Sequence, residues 1–279
     1  MVAHLRWDER PKLRQPILIA AFEGWNDAGE AATHAVAYLA DEWDARPFAS
    51  IDPEEFYDFT TTRPHVRIIE GTSRAIEWPE NVFRVTTSAD RPDVVLVAGI
   101  EPQLKWRTFC DQILEVAEAV DARLVLTLGA LLADVPHSRP TSVFGTAYDR
   151  KVIDALHLEP STYEGPTGIV GILHDRCATR GINSASLWAA VPSYVAAAPS
   201  PKAARALVER VVTMLGTSVP LETLDSETID YEVQISELVD EDEDTAAYVR
   251  HLEEQHDRDQ SDVSVDELVA EVERFLREQ

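Results

Sequence analysis

One stretch, residues 16–39, constrains the fold more than any other part of the chain. Residues 17–22 form a short, continuous apolar run, which is typical of a strand that is buried on both faces in a parallel sheet. Gly24 then permits a sharp turn, and Asp27 can cap the helix that follows. Residues 28–40 place alanine and larger apolar side chains on one helical face, so this helix can lie close to the sheet. The order of strand, turn and helix predicts an α/β fold.

The rest of the pattern extends this unit into a larger core. Strand patterns recur at residues 93–99, 123–128 and 184–191, and helical patterns at residues 105–120, 149–158, 167–180 and 201–215. Residues 44–88 differ, because they are rich in β-branched and aromatic residues and are interrupted by proline and glycine. They predict short antiparallel strands or hairpins inserted at one sheet edge, at about residues 48–88. We therefore expect a three-layer αβα core over residues 1–220, with a largely parallel, mixed sheet.

Polar residues follow several predicted strands, where open α/β sheets bind their ligands. We expect the loops at residues 23–27, 136–146 and 164–168 to converge on one cleft, because parallel strands place their carboxyl ends at one edge. No residue is assigned a catalytic role, and no metal site or cofactor is predicted. The candidate ligand-binding residues are Glu23, Asn26, Asp27, His137, Arg139, Thr146, Glu164, Gly165, Thr167 and Gly168.

These candidates also have purely structural explanations. A role as a helix cap explains Asp27 at least as well as a role as an acid, a base or a ligand anchor. The glycine-rich residues 165–171 can present helix N–H groups to an anion, but their spacing is not the dinucleotide fingerprint and Glu164 would repel phosphate. His137 and Arg139 share a chemically capable loop, although a loop histidine without a visible partner is most often structural or solvated.

The sequence lacks the usual catalytic signatures: GxSxG, HExxH, GxxxxGK[ST] and GxGxxG do not occur. Cys110 lies on the apolar stripe of residues 105–120, which predicts a core residue rather than a nucleophile. Cys177 would lie one turn from His174 on a helix whose apolar surroundings again favour the core. Trp188 falls in an apolar strand and is predicted to contribute packing.

The net charge of −25 is concentrated at one end of the chain, because residues 223–279 hold twenty acidic residues and four arginines. This unevenness disfavours a halophile's acidic surface as the explanation. Nucleic acids and anionic membranes require clustered Lys and Arg, so we expect neither as a partner. The sequence has no membrane-length apolar stretch and no signal-peptide pattern. Its two isolated cysteines predict no disulfide framework or zinc ribbon, and a cytoplasmic location is expected.

The acidic tail, residues 221–279, keeps a helical pattern despite its charge. Helices are predicted at residues 226–239, at about residues 246–256, and from Ser264, where a capping box begins. Helices this short need packing to persist in water, so we predict a helical lid docked over the cleft rather than a disordered arm. The apolar residues that recur at helical spacing are Ile229, Val233, Leu252, Leu268, Val272, Phe275 and Leu276.

Four segments carry a family resemblance: residues 22–31 (FEGWNDAGEA), 128–140 (LGALLADVPHSRP), 165–171 (GPTGIVG) and 186–192 (SLWAAVP). In this order they resemble the bacterial branch of the proteasome assembly chaperone 2 family, over roughly residues 15–216, and the tail is similar more loosely. Ser193 departs from the resemblance, which places His after Val-Pro. The resemblance implies a core similar to purine nucleoside phosphorylases and peptidyl-tRNA hydrolases, a hairpin insertion used in oligomerisation, and a C-terminal helical segment over a ligand cleft.

The resemblance implies no established reaction, because eukaryotic members act as chaperones for proteasome α-subunits without catalysis. We therefore expect a non-enzymatic protein-binding or assembly factor, with a protein client and a small ligand as further partners. The alternative is a small-molecule hydrolase or nucleoside-phosphorylase-like enzyme with a lid-covered cleft near Asp27, His137 and Thr167. We also expect a homo-oligomer, with a trimer favoured, because residues 44–88 carry more apolar surface than an isolated edge can leave in water. The residues behind this expectation are Phe56, Tyr57, Phe59, Val66, Ile68 and Ile69.

Overall fold

The computed structural model describes residues 4–69, 73–161 and 163–259. Its strands are β1 (Leu5–Trp7), β2 (Ile17–Glu23), β3 (Arg46–Ile51), β4 (His65–Ile69), β5 (Ser73–Glu77), β6 (Asn81–Thr86), β7 (Val94–Ile100), β8 (Leu124–Ala133), β9 (Val143–Ala147), β10 (Glu159–Pro160) and β11 (Ser184–Pro192). Its α-helices are α1 (Ala31–Glu42), α2 (Trp106–Ala119), α3 (Arg150–Leu156), α4 (Ile169–Arg180), α5 (Pro201–Leu215), α6 (Glu222–Asp240) and α7, described over residues 243–259.

Nine of the described strands form one mixed sheet, in the order β1-β3-β6-β7-β2-β8-β11-β9-β10. The central strands β7, β2, β8 and β11 are parallel to one another. Antiparallel strands complete both sides, with β6, β3 and β1 beyond β7 and β9 beyond β11. Strand β2 is central because it is apolar on both faces, and all its residues from Ile17 to Phe22 are buried. The predicted α/β fold with a largely parallel, mixed sheet is confirmed.

Helices cover both faces of this sheet and give the three layers. Helices α1 and α5 pack on the face to which Ile17, Ile19 and Ala21 point, and α2 and α4 pack on the face of Leu18 and Phe22. The alanines of α1 let it approach the sheet closely. The apolar stripe of α2 is buried from Phe109 to Ala117, as its periodicity predicts. Among the described helices, none is both long and apolar enough to cross a bilayer.

The segment between α1 and β7 is divided between the main sheet and a separate hairpin. Strands β3 and β6, at the two ends of the predicted insertion, pair within the main sheet. Strands β4 and β5 form a two-stranded hairpin of their own. Phe56 and Tyr57 are buried in the core beneath this segment, so they are not available as the exposed apolar surface that the sequence predicts. The aromatic residues of this segment therefore contribute to the buried core as well as to the exposed surface.

The described part of the acidic tail is docked on the core. Helix α6 packs along α5, and Leu224 joins the main apolar cluster. Farther along, Tyr231, Ile235 and Val239 of α6 form a smaller cluster with Val249 of α7. The helix predicted from Ser264 lies outside the described residues. The structure thus has longer tail helices than the sequence predicts, held by apolar contact despite their charge.

Candidate functional site

The turn after β2 is held in place by its own acidic residue. The carboxylate of Asp27 accepts a hydrogen bond from the Ala32 N–H at 2.6 Å and further bonds from the backbone and hydroxyl of Thr33. Asp27 therefore caps the first turn of α1, as one of its two interpretations predicts. The pKa of Asp27 is raised, first because burial disfavours its charge and partly because of Glu30, although the hydrogen bonds oppose this effect.

A cavity of about 770 Å³ lies beside this turn, beyond the carboxyl end of β2. One side is the turn itself, from Gly24 to Glu30. The opposite side is the first two turns of α4 and the residues before it, including Thr167 and His174. Residues 196–199 close a third side. This volume is in the range of pockets that bind small molecules, and its place agrees with the general rule for ligand sites in open α/β sheets.

Two rows of residues run across the sheet beneath the cavity, and the members that line its floor are Ser186, Thr146, Trp188 and Phe144. Ser186 of β11 lies opposite Thr127 of β8 and Thr146 of β9, which gives a polar row. Two residues further on, Trp188 lies opposite Gly129 and Phe144, which gives an aromatic row. A β-carbon at Gly129 would lie 2.5 Å from the Trp188 ring, so glycine leaves the space that the indole fills.

His174 of α4 lies over the polar row. Its Nε2 atom is 2.9 Å from the Thr127 hydroxyl and 2.7 Å from the Ser186 hydroxyl, and these two hydroxyls are 2.7 Å apart. Burial lowers the pKa of His174 to about 4, so the imidazole is neutral near pH 7. Its Nδ1 atom has no hydrogen-bond partner within the described residues.

The N-terminus of α4 already has an anion from the chain itself. The carboxylate of Glu101 accepts a hydrogen bond from the Ile169 N–H at 2.7 Å. Gly168 is required here, because a β-carbon at that position would overlap the side-chain oxygen of Asn26 and crowd Glu101. The glycine-rich residues 165–171 are thus explained by a close helix–strand approach with an internal cap, and a phosphate would meet a carboxylate there.

The ten candidate residues fall into three groups. Asn26, Asp27, Thr146 and Thr167 line the cavity. Gly168 supports it from behind, while Glu23, Glu164 and Gly165 are exposed beside it. The pKa of Glu23 is raised by desolvation and by the charges of Asp27 and Glu30. His137 and Arg139 form the third group, because they contact the acidic tail instead of lining the cavity.

His137 lies at a second, much smaller hollow. Its backbone N–H donates to the Tyr194 hydroxyl at 2.8 Å, its ring Nδ1 lies 2.8 Å from the same oxygen, and Nε2 is 3.0 Å from the Ser236 hydroxyl of α6. Its pKa is lowered, first by burial and then by the charge of Lys202. This histidine therefore joins the loop after β8 to the tail.

Arg139 makes the second connection to the tail. Its Nε and Nη2 atoms donate to the two carboxylate oxygens of Asp257 at 2.8 and 2.9 Å, and Glu253 is close to the same guanidinium. The expected convergence of His137 with Asp27 on one cleft therefore does not occur, because β8 continues to Ala133 and carries the loop toward α6 and α7. In the described part of the tail, the apolar cluster of α6 and α7 contacts the cavity-lining residue Ala198. Whether the tail covers the cavity stays a prediction.

Sequence reasoning missed most of the cavity's aromatic and polar floor. Trp188 was predicted to be core, His174 was considered only as a neighbour of Cys177, and Ser186, Phe144, Tyr148 and Tyr163 were not singled out, yet all six line the cavity. One signal was present: Thr127 and Ser186 interrupt otherwise apolar strands, and each needs a partner if it is buried. Their meeting depends on strand register, which sequence pattern does not supply.

The chemistry of this arrangement is that of a neutral hydrogen-bonding site. Ser186 and His174 have the separation of a nucleophile and its base, but the described residues provide no carboxylate on the Nδ1 side to orient the imidazole. The cysteines Cys110 and Cys177 are buried, and burial raises the pKa of each to about 12. The described residues gather no group of three or more His, Cys, Asp or Glu side chains that could hold a metal ion.

A mixed sheet with helices on both faces and a cavity beyond its parallel strands defines a three-layer α/β protein. The PAC2 family model matches residues 21–239, and the chain belongs to this family. This confirms the resemblance that its four sequence segments indicated. No curated protein matches the chain significantly.

Solved structures agree with this membership. The chain is 44% identical to a PAC2 family protein from Streptomyces avermitilis, with 84% of this chain and 99% of that one covered and a TM-score of 0.78. It is 45% identical to a proteasome-assembly chaperone homologue from Mycobacterium tuberculosis, with the same coverage and a TM-score of 0.74. An archaeal proteasome activator from Pyrococcus furiosus is 19% identical, with 84% and 97% covered and a TM-score of 0.69, which supports the fold alone.

Proposed function

We propose that this chain is a non-enzymatic, cytoplasmic protein-binding factor that assists proteasome assembly. The observation that carries this proposal is its similarity, over 84% of its length, to a proteasome-assembly chaperone homologue that is 45% identical. The family match over residues 21–239 extends the likeness through the core and into α6. The client would be a proteasome subunit or an assembly intermediate made of such subunits.

The β4–β5 hairpin supports a role in protein contact. Val66 lies opposite Ile76 across the hairpin, and Ile68 points to the same face of β4 as Val66. These three side chains are 57%, 51% and 68% exposed, so this hairpin face is an apolar surface in water. Contiguous exposed apolar surface on a small element is typical of a protein interface. We assign this face to contact between copies of the chain, in a homo-oligomer for which a trimer is favoured.

Binding is favoured over catalysis by the state of the cavity's only histidine among the described residues. His174 is held between two hydroxyls, and its lowered pKa makes it a weak base. Phosphorolysis would also need cationic groups for phosphate, and the cavity-lining residues that the structure describes include neither Lys nor Arg. We therefore do not adopt the hydrolase or phosphorylase alternative.

The tail would act as a helical unit distinct from the core. We propose that residues 221–279 form this unit and residues 1–220 the core domain. The support is that α6 and α7 contact the core through a small apolar cluster and through His137 and Arg139. We propose that this unit regulates access to the cavity or to a client, since it has an apolar cluster of its own beside those of the core.

A charged residue on the hairpin face tests both the formation of the oligomer and the binding of a client. We expect Ile68→Asp to convert the oligomer to monomers in sedimentation velocity, because a buried unpaired carboxylate opposes association. Ile229→Asp is the matched control, since Ile229 is also exposed, at 61%, but lies on α6 away from the hairpin. Both variants are then tested for binding to purified proteasome α-subunits. A wild-type chain that is monomeric at micromolar concentration and binds no subunit contradicts the proposal.

A further inference from the structure

The cavity beside Asp27 has a strong charge bias. Two carboxylates, those of Asp27 and Glu30, are among its lining residues, and its described lining contains no Lys or Arg. The helix end that points toward this region is already capped by Glu101. An anionic ligand would therefore be repelled by two carboxylates and find no cation or free helix N-terminus to bind.

The cavity is also unusually rich in aromatic rings. Among the residues that the structure describes, five aromatic residues line it: Trp25, Phe144, Tyr148, Tyr163 and Trp188. Trp25 is 60% exposed and Tyr148 is 65% exposed, although large apolar rings are normally buried in a chain with a core of this size. The Tyr148 ring also lies 6.1 Å from the ring of His174. Flat faces on several sides are suited to a planar ring, and they attract cations as well.

Two buried polar atoms at this cavity lack partners in the described residues. They are Nδ1 of His174 and Oδ1 of Asn26, whose residues are 4% and 7% exposed. A buried polar atom without a partner is costly, and in native structures it calls for an explanation such as a bound molecule. Oδ1 of Asn26 lies against Gly168, behind the cavity wall, so of the two side chains only His174 lies over the polar row of the floor.

We propose that this cavity binds a small planar heteroaromatic compound that carries a basic nitrogen, in its neutral or cationic form. The carboxylates of Asp27 and Glu30 would attract the positive charge of the ligand. The aromatic side chains would stack on its ring system, and the polar row of the floor would bind its ring substituents. Phosphorylated and carboxylated relatives of the same ring are disfavoured. This site goes beyond the proposed function and does not depend on it, because its occupant is a small molecule and its residues lie apart from the β4–β5 hairpin.

Three probes with the same ring and different charge test the proposal. Tryptamine is a cation, indole is neutral and indole-3-acetate is an anion, and each is titrated into the full chain by isothermal calorimetry at neutral pH. We expect tryptamine to bind about tenfold more tightly than indole-3-acetate, as expected for a nearby opposite charge and a cation–π contact. Equal or tighter binding of indole-3-acetate overturns the charge argument, and the absence of binding by all three probes at millimolar concentration overturns the site.

Matched variants locate the binding. Trp25→Ala should weaken tryptamine binding about tenfold, whereas Trp78→Ala should leave it unchanged, because Trp78 is an exposed tryptophan that lies outside the cavity. Glu30→Gln should reduce the preference for tryptamine over indole while indole binding stays the same. Wild-type affinity in Trp25→Ala, or an unchanged preference in Glu30→Gln, contradicts the proposal. Circular dichroism of each variant establishes that it is folded.

Discussion

Acidification should destabilise this protein through one buried side chain, His174. The folded state holds its pKa at about 4, against an ordinary value of 6.5, because the imidazole is buried between two hydroxyls. Between these values the unfolded chain binds a proton that the folded chain does not, so stability falls as pH falls from 6.5 to 4. Each pKa unit is worth about 1.4 kcal/mol, and the shift therefore corresponds to about 3 kcal/mol of stability lost across this window.

The variant His174→Gln isolates this contribution. Glutamine can still hydrogen-bond to Thr127 and Ser186 but cannot titrate. Free energies of unfolding are measured by urea denaturation at about pH 7 and about pH 4 for the wild type, for His174→Gln and for the control His251→Gln. His251 lies exposed on α7. Over this pH range, the wild type should lose about 3 kcal/mol more than His174→Gln, because the other titrating groups of these two chains are the same. The variant His251→Gln controls for the removal of an exposed histidine.

A small difference would refute the reasoning. If the wild type and His174→Gln lose the same stability to within about 1 kcal/mol, then His174 titrates in the folded state much as it does in the unfolded chain. The imidazole would then be accessible to water, and the neutral hydrogen-bonded row on the cavity floor would be wrong. NMR titration of the His174 ring protons provides a direct check, since they should show no protonation above about pH 5.

Two further changes test the tail contact and the cavity floor. Arg139→Gln should increase proteolysis between α6 and α7 several-fold, because it removes the bidentate contact with Asp257. The control Arg150→Gln affects only an exposed ion pair within α3 and should leave proteolysis unchanged. Equal cleavage patterns of the two variants by mass spectrometry would contradict the contact between Arg139 and the tail. Gly129→Ala should lower the free energy of unfolding by about 1–3 kcal/mol, because the added methyl group overlaps the Trp188 ring. The second change Trp188→Leu should restore part of this loss in urea denaturation, and no loss in the single variant would contradict the packing described for the floor.

The parts of the fold that could be predicted are those that local pattern determines. The apolar run of β2 and the periodicity of α2 specify buried elements without reference to distant residues. Strand β9 was not predicted because the strand is only five residues long, is partly exposed and contains Gly145. The hairpin could be expected from β-rich composition, whereas the burial of Phe56 depends on contacts with Phe109 in α2.

The candidate site was predictable in place but not in composition. Asn26 and Asp27 follow the central strand directly, so topology alone brings them to the cavity. His137 was assigned there by the same rule, but the rule fails because β8 runs past its neighbour β2 and stays paired with β11 as far as Ala133. Ser186 and Thr146 meet only because β11 and β9 pair in one register, and a one-residue slip of either strand would turn its residue away from the cavity.

Assembly kinetics of the proteasome core particle test the proposed function most directly. Purified α- and β-subunits from the organism that encodes this chain are mixed with the wild-type chain, with Ile68→Asp or with neither, and particle formation is followed by native gel electrophoresis and peptidase activity. We predict that the wild-type chain accelerates assembly and binds an intermediate that contains α-subunits, and that Ile68→Asp does so less well. An unchanged rate together with no detectable complex with either subunit would contradict the assignment of this chain as an assembly factor.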